Sequence, residues 1–329
     1  MKRIFAFMMM LTVVFSLAAC GGSGEKIAET GTAGKTVTIK TLNSHQETVD
    51  VEVPYDPQRI AILDMPALDI LDALGLGDRI VGSAKVTIEY LKAYNPDDSG
   101  GAIMNLGTVK TADLESVAAC EPDIIFIGGR LASVYEELKA IAPVVYLAVD
   151  YEKGIVESTR ANVRTIASIF GQEADAMFDG FQSRIDGLKA VLEGKDVLLG
   201  MYNANALGLM DTASQLNLIT RELGANNLGE TVGETQKANH GEEASWETIL
   251  SLNPEYMFVL DRSTATGTAD EGVMGVREVI ENELIRELDV YKDGKIVYFI
   301  EHANVWYTST GGVQALDTML SDLESALLK

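Results

Sequence analysis

Apolar and polar residues alternate in two short segments early in the chain. Thr36–Ile39 and Val49–Val53 both show the period of two that is typical of half-buried strands, and Asn43-Ser44 between them predicts a turn. The largely apolar segment Arg59–Leu63 then predicts a buried strand, and Pro66–Leu74 predicts the helix that follows it. Strands and helices alternate from there on, which predicts an α/β fold with parallel sheets.

One pattern occurs twice in the chain, and 247 − 115 and 262 − 130 both give an offset of 132 residues between the copies. Each copy has an acidic residue at the start of a short helix, then a proline, then an apolar strand that is followed by an arginine. These residues are Glu115, Pro122 and Arg130 in the first copy and Glu247, Pro254 and Arg262 in the second. An internal repeat of this kind predicts two lobes of one architecture.

A helical pattern joins the two copies. Residues 155–193 carry an apolar stripe at helical spacing, with a break expected at Gly171, and we interpret this stripe as core packing. The stripe consists of Ala174, Met177, Phe178, Phe181, Ile185, Leu188 and Leu192. The predicted fold is therefore two Rossmann-like α/β lobes, residues 36–154 and 194–329, joined by a long helical connector and with a ligand cleft between them.

The first residues have the layout of a secretory signal peptide. Two basic residues precede the apolar run Ile4–Val14, which is too short to span a bilayer. The run leads into Leu17-Ala18-Ala19-Cys20-Gly21, which resembles the lipobox of bacterial lipoproteins. This resemblance implies that residues 1–19 are removed, that Cys20 is lipidated, and that residues 20–35 form a flexible tether. The alternative is an ordinary cleaved signal in which Cys20 stands by chance.

Composition narrows the choice of partners. The formal net charge is −23, which argues against binding to nucleic acid or to anionic lipid through charge. Cys120 is the only cysteine besides Cys20, so no disulfide is expected within the mature chain. With the lipid anchor, these features predict a monomer on the extracytoplasmic face of the membrane. A Gram-positive surface is favoured, and an inner-membrane lipoprotein that faces a periplasm is the alternative.

The chain has no sequence signature of a catalytic site. It lacks a G-x-S-x-G nucleophile motif, a phosphate loop and H-E-x-x-H, and its three histidines are scattered. Arg130 and Arg262, by contrast, follow apolar strands, whose carboxyl ends border the ligand cleft in open α/β folds. Two guanidinium groups on opposite walls suit an anionic oxygen ligand. We therefore expect a binding protein without a permanent cofactor, although each arginine has the alternative role of pairing with a carboxylate.

Several short motifs follow one another along the chain. They are Pro57-Gln58-Arg59-Ile60, Asn105-Leu106-Gly107-Thr108, Asp113-Leu114-Glu115, Pro122-Asp123-Ile124-Ile125, His240-Gly241, Ser245-Trp246-Glu247, and Trp306-Tyr307 before Gly311-Gly312. With these motifs the mature chain resembles the binding proteins of iron-siderophore and cobalamin importers, and most closely the catecholate-siderophore lipoproteins of the enterochelin and petrobactin type. The resemblance implies an iron(III)-siderophore as the transported ligand and the permease of an ABC importer as the partner.

The resemblance also implies metal ligands. In the catecholate group, the histidine of the H-G motif and the tyrosine of the W-Y motif complete the coordination of iron, and they correspond to His240 and Tyr307. Iron(III) is a hard cation that favours phenolate and catecholate oxygen. Trp306 is assigned to the ligand site by the same W-Y motif, although from the residues alone the pair is more typical of core packing.

The family's three cleft arginines carry over only in part. Arg130 and Arg262 match, whereas Gln215 stands at the third position and is assigned to the ligand site in its place. One positive charge fewer predicts either a ligand with less negative charge or compensation by another residue such as Arg221.

Docking on the permease occurs in this family through one acidic residue on each lobe. Glu115 and Glu247 match by motif, and their equivalent places in the repeat favour this pairing. A favourable position in the first turn of a helix is compatible with the same residues. Three other functions compete with siderophore capture: binding of cobalamin or haem, metal-dependent catalysis, and surface adhesion.

Overall fold

Two five-stranded sheets, one in each half of the chain, form the framework of this protein. The computed structural model describes residues 34–232, 245–268 and 272–328. Cys20 and His240 lie outside these residues, as does the predicted signal peptide. The expected α/β fold with one sheet in each lobe is confirmed. Among the described helices, none combines the length and apolar character that a membrane span requires.

The first half begins with a hairpin and continues as a parallel sheet. Its elements are β1 (Thr36–Leu42), β2 (Thr48–Pro54), β3 (Ile60–Leu63), α1 (Met65–Ala73), β4 (Ile80–Ser83), β5 (Met104–Asn105), β6 (Gly107–Thr108), β7 (Thr111–Ala112), α2 (Leu114–Ala119), β8 (Ile124–Ile127), α3 (Tyr135–Lys139) and β9 (Val144–Tyr146). The sheet order is β5-β4-β3-β8-β9, and all neighbouring pairs are parallel. The predicted hairpin is the antiparallel pair β1-β2.

The central strands of this sheet are wholly apolar because helices or the hairpin cover both faces. All four residues of β3 and all four of β8 are buried, as is typical of parallel strands. The chain turns directly from β3 into α1 at Asp64, whose Oδ2 accepts the N–H of Ala67 at 3.1 Å and so caps the helix. Pro66 occupies the first turn, where its missing N–H is harmless.

Two helices connect the halves, α4 (Ile155–Ile169) and α5 (Phe181–Leu192). The chain between them contains Gly171, with a φ of +64°, and a 3₁₀ turn at Asp175–Phe178. Most of the apolar stripe is buried, namely Ala174, Phe178, Phe181, Ile185, Leu188 and Leu192. The connector is therefore packed into the core along its apolar face.

The second half contains a mixed sheet. Its elements are β10 (Asp196–Asn203), β11 (Ala206–Leu209), β12 (Asn226–Asn227), α6 (Trp246–Leu252), β13 (Tyr256–Asp261), α7 (Arg262–Thr266), α8 (Val276–Ile280), α9 (Glu283–Glu287), α10 (Asp289–Lys292), β14 (Ile296–Phe299), α11 (Ala303–Thr308) and α12 (Val313–Leu327). The order is β11-β10-β13-β14, with β12 also on β10. The predicted parallel pairing holds for β10 with β12 and β13 and for β13 with β14, and the edge strand β11 is antiparallel to β10. Ala204 and Asn205 have positive φ and form the tight turn that reverses the chain.

The last helix returns to the first half of the chain. α12 packs on α1, α4 and α5. The buried carboxylate of Asp69 in α1 accepts the backbone N–H groups of Gln314 and Ala315, both at 2.9 Å, at the positive end of α12. Near α12, Nδ2 of Asn304 donates to the carbonyl oxygen of Thr87 at 2.6 Å. These contacts tie the two lobes together.

Candidate functional site

A cavity of about 370 Å³ lies between the two lobes. One wall consists of residues that follow strands of the first sheet, including Asp64 after β3, Lys85 after β4 and Arg130 after β8. The opposite wall comes from α7 and α11 and includes Thr266 and Tyr307. The cavity thus lies at the carboxyl ends of parallel strands, which is where open α/β folds bind their ligands.

The first wall carries three exposed basic side chains, Lys85, Lys110 and Arg130. Among the described residues, no carboxylate lies within 4.0 Å of any of these cationic groups. Twelve of the 21 lysine and arginine residues in the described part of the chain have a carboxylate within 4.0 Å, as Arg164 has in Asp175 at 2.6 Å. The wall therefore concentrates positive charge that is available to an anionic ligand.

Lys85 and Lys110 were not predicted as site residues. Lys110 lies at the tip of the β6-β7 hairpin, where Oγ1 of Thr108 accepts its backbone N–H at 3.2 Å. The N–H of Lys85 donates to the carbonyl oxygen of Gly107 at 3.0 Å, so the two lysines are held on adjoining backbone segments. One signal was available, because Lys85 follows β4 as Arg130 follows β8. Nothing in the local sequence of Lys110 points to the cavity.

Arg262, which was predicted to face the cleft, is not among the residues that line the cavity, and neighbouring side chains engage it behind the second wall. Its Nε donates to the hydroxyl oxygen of Tyr307 at 2.9 Å, and its Nη1 donates to Oδ1 of Asn203. The guanidinium carbon also lies 5.5 Å from the centre of the Tyr307 ring. Arg262 therefore holds the Tyr307 hydroxyl in place at the cavity. Asn203, at the end of β10, was missed because an isolated asparagine carries no motif.

Trp306 is a core residue, and its assignment to the ligand site is corrected. Its side chain is fully buried, stacks on Phe299 at 4.0 Å and donates from Nε1 to Oδ2 of Asp322 at 2.8 Å. The W-Y pair lies within α11. Successive residues of a helix point about 100° apart, so Tyr307 faces the cavity while Trp306 faces the core.

The remaining predicted ligand residues are not brought into this cavity. Gln215 lies in the turn before the short π-helix Leu218–Glu222, is partly buried, and does not line the cavity. Arg221 is exposed beside Gly154, at the start of α4, and does not line the cavity. His240 lies outside the described residues, so its predicted role as a metal ligand stays a prediction. Among the described residues, the basic side chains that line the cavity are Lys85, Lys110 and Arg130 on the first wall.

Glu115 and Glu247 occupy equivalent places in α2 and α6. Both are exposed second residues of their helices. Each helix is capped by the residue two positions earlier, Asp113 or Ser245, whose side chain accepts a backbone N–H at 3.1 Å. The repeat thus gives the two acids the same local structure and the same exposure.

Comparison with known proteins is consistent with this geometry. The chain is 29% identical to the petrobactin-binding protein YclQ of Bacillus subtilis over 336 residues, with all of both chains covered. The crystal structure of YclQ superposes with a TM-score of 0.78 over 90% of this chain and 99% of that one. The ferric-anguibactin-binding protein FatB of Vibrio anguillarum is 25% identical, with 81% of both chains covered.

A further solved structure is that of the periplasmic catecholate-siderophore binding protein VctP from Vibrio cholerae. It is 26% identical, has a TM-score of 0.74, and is covered over 88% of this chain and 100% of its own. The family model for periplasmic binding proteins matches residues 60–301, from the first strand of the parallel sheet to the residue that follows β14 by two positions. This match spans both five-stranded sheets, the first wall of the cavity and α7 of the second wall, and by it the chain belongs to the periplasmic binding protein family.

Proposed function

We propose that this protein captures an iron(III)-siderophore of the catecholate class in the cleft and delivers it to an ABC importer. The observation that carries the proposal is the basic first wall opposite Tyr307. A ferric catecholate complex is an anion, because its oxygens bring more negative charge than iron(III) neutralises. Lys85, Lys110 and Arg130 match that charge without described carboxylates that compete for them. The binding roles named for YclQ, FatB and VctP point to the same ligand class.

Tyr307 is the proposed contact to the metal. Its hydroxyl oxygen is a hard donor that suits iron(III), and the N–H of Arg262 orients it from the side. A siderophore that supplies too few donors leaves positions on iron that a protein oxygen fills. By resemblance His240 supplies the second donor, so we extend the proposal to the pair His240 and Tyr307.

The rest of the proposal concerns delivery. A binding protein needs no catalytic step, and ligand capture in the cleft is the whole of the proposed activity. We propose that Glu115 and Glu247 meet the permease, one from each lobe, and that acyl chains on Cys20 hold a monomer at the extracytoplasmic face of the membrane. The tether of residues 20–35 then gives the folded chain reach to its importer.

Ligand titration tests the proposal. Quenching of tryptophan fluorescence of the purified mature protein is measured with the iron(III) complexes of a tetradentate bis-catecholate and a hexadentate tris-catecholate. Trp306 lies next to Tyr307 in the chain, so a bound iron chelate quenches it. Saturable quenching by both complexes is expected. Saturation by cobalamin or haem, with none by either iron complex, would reject the proposal.

Two variants locate the ligand. Tyr307→Phe removes a single oxygen and is expected to weaken binding of the tetradentate complex roughly tenfold, while the coordinatively complete hexadentate complex is little affected. Arg130→Gln is expected to weaken both. The matched control is Arg164→Gln, an exposed arginine on α4 that pairs with Asp175 away from the cavity and whose loss leaves both affinities unchanged.

A further inference from the structure

A second cavity adjoins the first one. Its volume is about 230 Å³, and it shares Asp64, Gly128 and Gly129 with the main cavity. The rest of its lining comes from α1, α4, the chain after β9 and the segment before α12. It includes the polar residues Tyr151, Asn162 and Thr310, and most of the others are apolar. These apolar residues are Pro66, Ala67, Ile70, Leu147, Ala148, Val149 and Ile166. The cleft therefore has a basic chamber and a smaller apolar chamber with one carboxylate at their boundary.

Only one of the two carboxylate oxygens of Asp64 accepts a hydrogen bond from the described part of the protein. Oδ2 accepts the N–H of Ala67, whereas Oδ1 has no hydrogen-bond partner among the described residues. No basic side chain of the described part lies within 4.0 Å of it. Burial raises the pKa of Asp64 to about 7, which reflects a charge without a compensating partner.

Gly128 keeps this oxygen accessible. A Cβ at position 128 would lie 2.5 Å from Oδ1 of Asp64, and one at Gly129 would lie 3.0 Å from the hydroxyl of Tyr146. Any larger residue at position 128 would therefore displace or cover the carboxylate. The two glycines form an open edge where the two chambers meet.

We propose that the smaller chamber is a subsite for an aliphatic arm of the siderophore that carries a protonated amine, with Asp64 as its acceptor. This inference rests on the proposed function, because the main chamber must hold the anionic iron complex. An apolar lining suits methylene groups, and a partly buried carboxylate whose Oδ1 has no partner in the described chain is suited to accept an ionic hydrogen bond from a ligand. An ammonium group supplies both the charge and the donors. A metal ion is a poorer fit, because the described residues contain no group of three or more metal-binding side chains.

The subsite explains how one cleft can select among chelates of the same iron chemistry. Basic residues attract any anionic complex, so they do not distinguish ligands by their arms. Asp64 repels an anion and attracts an amine, and it therefore favours chelates with a cationic arm over those without one.

The test uses two iron(III) bis-catecholate complexes that differ only in one arm, which ends either in a primary amine or in its acetamide. The dissociation constants of both complexes are measured with the mature wild-type protein and with Asp64→Asn. The wild type is expected to prefer the amine roughly ten- to hundredfold, as for a hydrogen bond to a charged group. Asp64→Asn is expected to lose this preference while its affinity for the acetamide complex changes less than about threefold. Asparagine caps a helix as well as aspartate does, so α1 should remain intact, and circular dichroism checks it.

A second variant addresses the apolar chamber without touching the carboxylate. Ala148 is exposed and lines the smaller cavity, so Ala148→Leu fills part of it. It is expected to weaken the amine complex more than a complex with no arm. Equal binding of the amine and acetamide complexes by the wild type, or an unchanged preference in Asp64→Asn, would overturn the subsite. Failure of the wild type to bind either complex would instead reject the proposed function, and the subsite with it.

Discussion

Arg130 and Arg262 occupy matching positions of the repeated pattern, but their guanidinium groups have different surroundings. Arg130 follows β8 and is exposed to the cavity, with no described carboxylate within 4.0 Å. Arg262 follows β13, the matching strand, yet its guanidinium donates to Tyr307 and Asn203. The difference comes from elements that flank only the second strand, since the end of β10 supplies Asn203 and α11 supplies Tyr307. The repeat determines which backbone position carries the arginine. The elements around that position determine whether the guanidinium group is paired.

The largest effect on stability is expected for Trp306, which anchors α11 to the core. Trp306→Ala should lower the free energy of unfolding by about 3–5 kcal/mol, because it leaves a large cavity and removes the donor to Asp322. Urea denaturation measures this loss. Trp246→Ala, at the partly exposed start of α6, is the matched control and should cost clearly less. A weakened ligand affinity without loss of stability in Trp306→Ala would return Trp306 to the binding site.

The contrast between the two arginines predicts the next largest effect. Arg262→Ala leaves partly buried groups of Tyr307 and Asn203 without a donor, so unfolding free energy should fall by about 1–3 kcal/mol. Arg130→Ala should change stability by less than about 0.5 kcal/mol, while it weakens binding of an anionic chelate. Thermal denaturation and ligand titration of both variants measure the contrast. Equal losses of stability in the two variants would show that Arg130 and Arg262 are held equally by their neighbours.

The pH dependence of stability examines the carboxylate on the first wall. Burial raises the pKa of Asp64 from 3.8 to about 7, so the folded state holds the proton more tightly than the unfolded state. The stability gained is fully present below pH 3.8 and is lost as the pH rises through about 7. Asp64→Asn should therefore be more stable than wild type by about 1–3 kcal/mol at pH 8 and equal to it near pH 4.

Urea denaturation across this pH range checks the prediction. The exposed Asp97 provides the control, since Asp97→Asn should leave the pH profile of the wild type unchanged. An Asp64→Asn profile parallel to that of the wild type would mean that the carboxylate has an ionic partner in the folded chain.

The smallest effect on the isolated protein is expected for Glu115 and Glu247, the acidic residues at equivalent positions of the repeat. Glu115→Gln and Glu247→Gln should change stability and ligand affinity little, because both side chains are exposed away from the cavity lining. Each should lower uptake of labelled iron chelate by cells that carry the variant, and the double variant should lower it further. Glu136→Gln on α3 is the control. Full uptake by the double variant would reject docking through these residues.

Much of the fold and part of the site could be predicted from local patterns in the sequence. Alternation predicted the hairpin β1-β2, the repeat predicted matching positions for Glu115 and Glu247, and the strand ends predicted Arg130 at the cleft. Each of these predictions used residues that are close together in the chain, because periodicity, helix capping and strand direction are local properties.

Other features depended on segments far apart in the chain. Lys110 reaches the cavity because β6 lies beside the residue that follows β4, and Trp306 is buried because β14 and α12 close around it. The two-chamber cleft likewise requires α1, α4 and the chain after β9 to meet. The sequence by itself determined the two-lobed α/β plan and the residues at its strand ends, since these follow from local periodicity. Tertiary structure alone decided which cations are free, which aromatic is core and where Asp64 faces, because burial and pairing depend on contacts between distant segments.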